Sequence, residues 1–202
     1  MEQNNLQVIK LHENPQYLKP CCELINDEWP RSETARMMSL QASCDQLPTS
    51  LILINDQRLL LGHCKLTAIP SMPKSCFIET VIISKAMRGI KLGTFLMKEV
   101  EKYCKNVLRL DMIHLSTKGQ ENFYAKLGYE LCAPVSIYGS SVVNDIKTVS
   151  KIDFVPKHNV NINNLVSAPL PPPPPPPPPM PKLQSVNSNI KTSKTFMFKY
   201  IS

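Results

Sequence analysis

The sequence predicts an α/β fold, one sheet flanked by helices, with a proline-rich excursion inserted before the last strand. Three observations lead there. The apolar run Val81-Ile-Ile-Ser84 passes through a short basic loop into an amphipathic segment over 92–105. A strand–helix–strand passage follows over 110–137. After the prolines, Thr195-Phe-Met-Phe-Lys-Tyr-Ile201 alternates apolar and polar residues and is rich in β-formers.

Each element has a local reason. Residues 1–10 read as a first strand, with Leu6, Val8 and Leu11 roughly alternating. Leu18, Cys21, Cys22, Ile25 and Trp29 recur at helical spacing, which predicts a helix over 15–28 ending before Pro30. Ser32 is placed to cap a second helix running to about Gln41. Leu51–Asn55 and Arg58–Thr67 form a hairpin around Asn55-Asp56-Gln57, and Cys76–Ser84 is the next strand. Helix 92–105 buries Leu92, Phe95, Leu96, Val100 and Tyr103. Strand 110–116, helix 120–127 and strand 129–137 complete the core, and 195–201 is the last strand of the same sheet. This divides the chain into a domain over 1–144, a flexible insertion over 145–193 and a closing strand over 194–202.

Composition narrows the function. The net charge of +7 arises mostly outside the domain: residues 1–150 hold 17 Lys/Arg against 15 Asp/Glu, and the rest hold six lysines and one aspartate. No basic stripe with interleaved aromatics occurs, so we expect no nucleic-acid partner. The N-terminus shows no basic-then-apolar signal pattern, and no apolar run approaches the ~18 residues a bilayer span needs, so we expect no membrane contact and a cytoplasmic setting. The seven cysteines include no C-x-x-C pair, and the four histidines are scattered; reduced thiols are expected and no metal centre.

The loop at 88–94 carries the chemistry. Strand, basic glycine-containing loop and helix N-terminus together aim free amides and a helix dipole at one point, a cradle for a pyrophosphate. It is not a P-loop, because Gly89 and Gly93 stand one residue too close and Thr94 occupies the lysine position. It is not a dinucleotide fingerprint either, which needs three glycines. Arg88-Gly-Ile-Lys-Leu-Gly93 instead resembles the Arg/Gln-x-x-Gly-x-Gly/Ala loop of the GCN5-related N-acetyltransferases, with Lys91 at the middle glycine position. Further on, Phe123-Tyr124-Ala-Lys-Leu127-Gly128-Tyr129 resembles that family's second signature, in the right order and at the right distance.

The resemblance implies a mixed, mostly antiparallel sheet and acetyl-CoA as co-substrate. It implies that backbone of Val81, Ile82 and Ile83 meets the pantetheine arm, and that Gly89, Ile90, Lys91, Leu92, Gly93 and Thr94 take the pyrophosphate. Tyr124 is the implied general acid. Glu79 is the candidate base or, equally, a carboxylate that attracts the substrate ammonium; alternation puts it on the face of Val81. Ser116 and Gln120 contact the cofactor or serve as ordinary strand-end and cap residues.

Residues 24–40, including Trp29, Arg31, Arg36, Met37, Met38 and Ser39, resemble the substrate-recognition region of family members that acetylate the processed N-terminus of actin. Arg31 and Arg36, spaced i and i+5, then flank a groove for successive substrate carboxylates. Met37, Met38 and Ser39 present helix surface to the peptide, while Trp29 walls the groove or joins the core. His114 faces the cleft if its strand alternates, and His63 is structural. Pro171–Pro179 is a pre-ordered polyproline II run, which with the resemblance implies profilin as partner. The expected activity is N-terminal α-amino acetylation of acidic Asp/Glu N-termini, actin foremost. The alternatives are a small-amine acetyltransferase and a polyproline adaptor with a degenerate acetyltransferase domain.

Overall fold

A computed structural model describes residues 6–138 and 194–201. The strands are β1 (Gln7–Lys10), β2 (Thr49–Ile54), β3 (Leu60–Ala68), β4 (Ser75–Ile83), β5 (Met112–Thr117), β6 (Glu130–Leu131) and β7 (Thr195–Tyr200). The helices are α1 (Leu18–Glu28), α2 (Glu33–Gln41), α3 (Leu92–Asn106) and α4 (Glu121–Ala125), with 3-10 turns at Pro15–Tyr17 and Lys85–Met87. The seven strands form one sheet in the order β1-β2-β3-β4-β5-β7-β6. Among the described residues, only β4 and β5 pair in parallel; every other pair is antiparallel. The mixed sheet with flanking helices is the fold the motifs imply. Among the described residues, no helix is long and apolar enough to cross a membrane.

Both faces of the sheet are covered. In β2 the run Thr-Ser-Leu-Ile-Leu-Ile is buried throughout, because alternate residues serve opposite cores. Leu51 and Leu53 join Leu66, Ile78, Leu96, Val100, Ile113 and Leu115 on the α3 side. Ile52 and Ile54 join Leu11, Cys21, Ile25, Leu40 and Ile82 on the side of α1 and α2. Burying each such aliphatic side chain stabilises the fold by about 1.5–3 kcal/mol. At Gly62 a Cβ would stand 2.6 Å from Ile83 Cδ1 and 2.8 Å from the Ile82 carbonyl, so β3 and β4 approach there only without a side chain.

Several elements differ from the sequence expectation. The first turn of the 15–28 helix is 3-10, and the first strand covers 7–10, with residues 1–5 outside the described set. The apolar stripe of α3 is rotated: Met97 and Cys104 are fully buried, while Phe95 and Tyr103 are only partly so. The strand expected over 129–137 shrinks to Glu130–Leu131. Cys132 N still donates to Phe196 O at 2.9 Å, but Pro134, two residues on, has no N–H to continue the ladder. The expected strand at the chain's end is β7, which pairs with β5 over Met112–Thr117 and with β6 on its other side. The insertion expected over 145–193, including Pro171–Pro179, lies outside the described residues.

Candidate active site

A fork in the sheet creates the site. β4 and β5 pair from Ser75↔Met112 to Ile78↔Leu115 and no further, although each strand continues. At the same level β4 bulges: Lys65 pairs with Thr80 and Leu66 with Ile78, so Glu79 is the extra residue. Beyond the bulge, Ser84 N donates to Leu61 O on β3 at 2.8 Å. Alternation therefore turns the backbone of Ile82 toward β3 and that of Val81 and Ile83 toward the open edge. Arg88 Nε meets the Ile83 carbonyl there at 3.0 Å.

The bulge corrects the expectation for Glu79. Ile78 and Val81 both pack toward the α3-side core, so Glu79 and Thr80 between them project to the opposite face. Glu79 does not share a face with Val81, because an inserted residue breaks the two-residue period. Its carboxylate accepts from Thr67 Oγ1 and lies 3.0 Å from Lys65 Nζ. Lys65 Nζ in turn donates to Ser39 Oγ of α2 at 2.9 Å.

Past the fork, the chain makes the 3-10 turn and enters α3. Gly89 takes φ +83 with open space around its absent Cβ, and Lys91, the N-cap, takes the left-handed φ +66. Among the described residues, none of the amides of Gly89, Ile90, Lys91, Leu92, Gly93 and Thr94 donates to a protein acceptor; the first helix-entry bond is Phe95 N to Lys91 O at 3.0 Å. Six successive free donors at the positive end of a fifteen-residue helix form an anion-binding nest. At Gly93 a Cβ would stand 3.4 Å from Phe123 Cζ, so α3 and α4 close on one another at the cradle. Arg88 does not lend its charge to the nest: its Nη2 pairs with Glu28 Oε2 at 2.9 Å.

The fork, the nest and α4 enclose a cleft of about 480 Å³. Of the sequence-predicted site residues, Val81, Ile82, Ile83, Gly89, Lys91, Leu92, Gly93, Thr94, Gln120, Tyr124 and Trp29 line it. Ile90 points to solvent beside the nest, and Ser116 lies in the β5–β7 ladder opposite Phe196, outside the lining. Tyr124 packs edge-on between Phe123 and Tyr129, with centroids 5.0 and 5.8 Å away. Burial pushes its phenol up to about 12, so it holds its proton at neutral pH.

The substrate-recognition set divides. Trp29 ends α1 at 47% exposure and lines the cleft instead of joining the core. Arg36 is anchored within the protein, Nε to Asn26 Oδ1 at 3.1 Å and Nη2 to Trp29 O at 2.8 Å, clamping the end of α1 against α2. Arg31 precedes the Ser32 cap, so the two arginines do not share a helix; Arg31 is exposed and close enough to help burial lower the Arg36 pKa. Met37 packs against the α1/α2-side core, Met38 is 67% exposed, and Ser39 belongs to the Lys65 network. His114 stacks on Phe198 at 5.9 Å, with Nδ1 4.0 Å from Cys132 Sγ, and does not line the cleft. His63 is fully buried with both ring nitrogens unpartnered among the described residues, and burial holds it near a pKa of about 3.

Sequence reasoning missed Lys65, Thr67 and Phe123. Phe123 carried a signal in the second signature. Lys65 carried a weaker one, the single Lys or Arg within the mostly apolar strand Leu60–Ala68. Its partner on β4 is set by cross-strand register, which no local pattern reveals.

Comparison with known proteins agrees with the geometry. Residues 18–129 match the acetyltransferase (GNAT) family model. The chain is 36% identical over 127 residues to mouse (Mus musculus) N-alpha-acetyltransferase 80, a match covering 60% of this chain and 40% of that protein. Thus the chain spans less than half the length of this relative. Among solved structures, spermidine N-acetyltransferase from Vibrio cholerae in complex with CoA and spermine aligns at a TM-score of 0.56 and 18% identity, covering 67% of this chain and 89% of that one. A GNAT-family acetyltransferase from Staphylococcus aureus Mu50 aligns at 0.57 and 15%, covering 98% and 99%. At such identities the structural likeness speaks for the fold alone. A forked sheet, a free-amide nest at α3 and a match across both motifs converge on one assignment: the chain belongs to the GNAT family of acetyltransferases.

Proposed function

We propose that this chain transfers the acetyl group of acetyl-CoA to the α-amino group of proteins with acidic N-termini, processed actin foremost, in the cytosol. The observation that carries the transferase reading is the run of six free amides from Gly89 to Thr94 beside the open edge of β4. Members of the GNAT family use acetyl-CoA, and these residues fit it: the nest suits a diphosphate, and the Val81 and Ile83 backbone suits the amide-bearing arm. The α-amino reading is supported by the likeness to N-alpha-acetyltransferase 80, and the acidic preference by the cations beside α2, Arg31 and Lys65.

When bound, acetyl-CoA supplies an activated acyl carbon, to which the amine nitrogen bonds as the carbon–sulfur bond breaks. The chain's own residues manage protons and charge. The open-edge amides of Val81 and Ile83 are donors for the carbonyl oxygen, in a setting where fixed dipoles act without reorganising. Glu79 draws in the substrate ammonium and accepts its proton, directly or through water. Tyr124, protonated at neutral pH, gives its proton to the departing sulfur and is reprotonated, through water, by the second proton that the nitrogen loses on becoming an amide. The proline run recruits profilin, which brings monomeric actin to the site.

Small amines are the competing substrate, and several structural neighbours are spermidine acetyltransferases. A polyamine calls for several unpaired carboxylates. Among the described residues, Glu28 is the one acidic residue of the cleft lining and is paired with Arg88, while Glu79 beside the fork is paired with Lys65. The test is acetyl-CoA turnover by the full chain with peptides starting Asp-Asp-Asp-Glu, Ser or Met, and with spermidine, read by mass spectrometry. We expect acetylation of the acidic peptide above all others. Preference for spermidine, or no turnover of any amine despite tight acetyl-CoA binding, would overturn the proposal.

A further inference from the structure

We propose that Lys65 selects an acidic first residue by giving up its partner Glu79 to the substrate and taking the substrate's side-chain carboxylate instead. This rests on the N-terminal acetylation reading above and names a determinant within it.

The placement comes from the bulge. Glu79 is the extra residue where β4 and β5 part, and it projects to the α2 face, with the open-edge backbone of Val81 two residues on. Lys65 lies across the β3–β4 ladder with its Nζ 3.0 Å from Glu79 Oε2. The two side chains are 15% and 27% exposed, so the pair is partly dried yet reachable from solvent. The pair stands outside the cleft lining, on the α2 side of the fork, where a peptide approaching the open edge of β4 from that side would meet it.

The chemistry is complementary. An N-terminal Asp or Glu carries an ammonium and a carboxylate a few bonds apart. The protein presents a carboxylate and an ammonium side by side. Inserting the substrate replaces one ion pair with two, Glu79 to the substrate ammonium and Lys65 to the substrate carboxylate, and no charge is left alone. A neutral first residue takes Glu79 and leaves Lys65 desolvated without a counter-ion, which penalises binding. Thr67 Oγ1 and Ser39 Oγ steady the exchange: the first hydrogen-bonds Glu79, and the second holds Lys65 from α2. Lys65 thus remains aimed when its partner turns away. Arg36, by contrast, is committed to Asn26 and the Trp29 carbonyl, so it is the poorer reader of the first carboxylate.

The experiment measures kcat/KM of the full chain for two peptides differing only in a first residue of Asp or Ser, in wild type, Lys65→Met and Lys65→Arg, with acetyl-CoA affinity by calorimetry. We expect Lys65→Met to shrink the Asp-over-Ser ratio by about 10- to 100-fold, a loss typical of a truncated charge pair, with acetyl-CoA affinity unchanged. Lys65→Arg should restore most of the ratio. A purely structural role would lower both peptides equally and leave the ratio intact; that result overturns Lys65 as selector. Should Lys65→Met fail to bind acetyl-CoA, Lys65→Gln, which keeps a donor toward Ser39 and Glu79 without the charge, carries the same readout. A wild-type chain that acetylates neither peptide overturns the underlying N-terminal reading instead.

Discussion

Arg88 ties the nest to the strand it leaves: its Nε donates to the Ile83 carbonyl at 3.0 Å, while its Nη2 reaches Glu28 of α1. The guanidinium lines the cleft but is spent on these two partners, so it shapes the loop and does not act as a phosphate ligand. We expect Arg88→Ala to weaken acetyl-CoA binding about tenfold, the worth of one charge-assisted hydrogen bond, by loosening the turn before Gly89. Arg88→Lys should rescue little, because Lys lacks the fork that bridges two partners. Calorimetric titration with acetyl-CoA reads both; unchanged affinity in Arg88→Ala would contradict the role.

Lys91 occupies the glycine position of the family loop in the left-handed conformation glycine prefers, φ +66. A β-branched residue tolerates that region badly. Lys91→Val should cost about 1–2 kcal/mol, a fall in Tm of several degrees for a chain of this size. Lys91→Gly should leave Tm nearly unchanged, since relief of strain is offset by the greater freedom of the unfolded chain. Thermal scans of both variants check this, and equal losses would show that the conformation is not the constraint.

His63 sits across from Ile52 and Ile82 with no hydrogen-bond partner among the described residues. Its pKa falls from 6.5 to about 3 because burial disfavours the imidazolium, with Lys65 and Arg36 adding repulsion. The unfolded chain thus binds a proton below pH 6.5 that the folded chain refuses. The contribution to stability is fully present above 6.5 and is lost as pH falls toward about 3. His63→Leu should flatten that part of the stability–pH curve and add about 1–3 kcal/mol at neutral pH by removing an unpaired buried polar group. Urea titrations between pH 4 and 7 on both proteins measure it.

Tyr124 has the opposite sign. Burial raises its phenol from 10.0 to about 12, so it is protonated and able to donate throughout the neutral and mildly alkaline range. Its contribution to stability holds below pH 10 and is lost as pH rises toward about 12. Tyr124→Phe should lower kcat by about 10²- to 10⁴-fold, with acetyl-CoA affinity preserved, as expected for loss of a general acid. Single-turnover rates would decide, and a kcat near wild type would reassign the residue to packing.

Much of this protein was legible in its residues, and the parts that were not share a cause. Ser32 was expected to cap α2, and its hydroxyl accepts from Ala35 N at 3.5 Å. Gly128 was expected past the end of the helix that holds Tyr124, and it takes φ +88 there. Both follow from residues a few positions apart. Glu79 was misplaced because its face depends on a bulge: it is a residue of β4 that has no counterpart on β3. Arg36 was expected in the groove, yet it is spent on the Trp29 carbonyl, an acceptor created only when α1 ends beside α2.

The order of letters by itself determined the strand, nest and helix from Val81 to Asn106, because hydrophobic period and glycine placement act between neighbours along the chain. The left-handed turn at Lys91 runs against the local steric preference and came with the fold. The tertiary fold alone decided that β7 would lie between β5 and β6, that β4 would bulge at Glu79, and that Lys65 would face that carboxylate. Those are matters of register between strands distant in sequence. One inserted residue there reverses every side chain that follows, and nothing in the local pattern announces it.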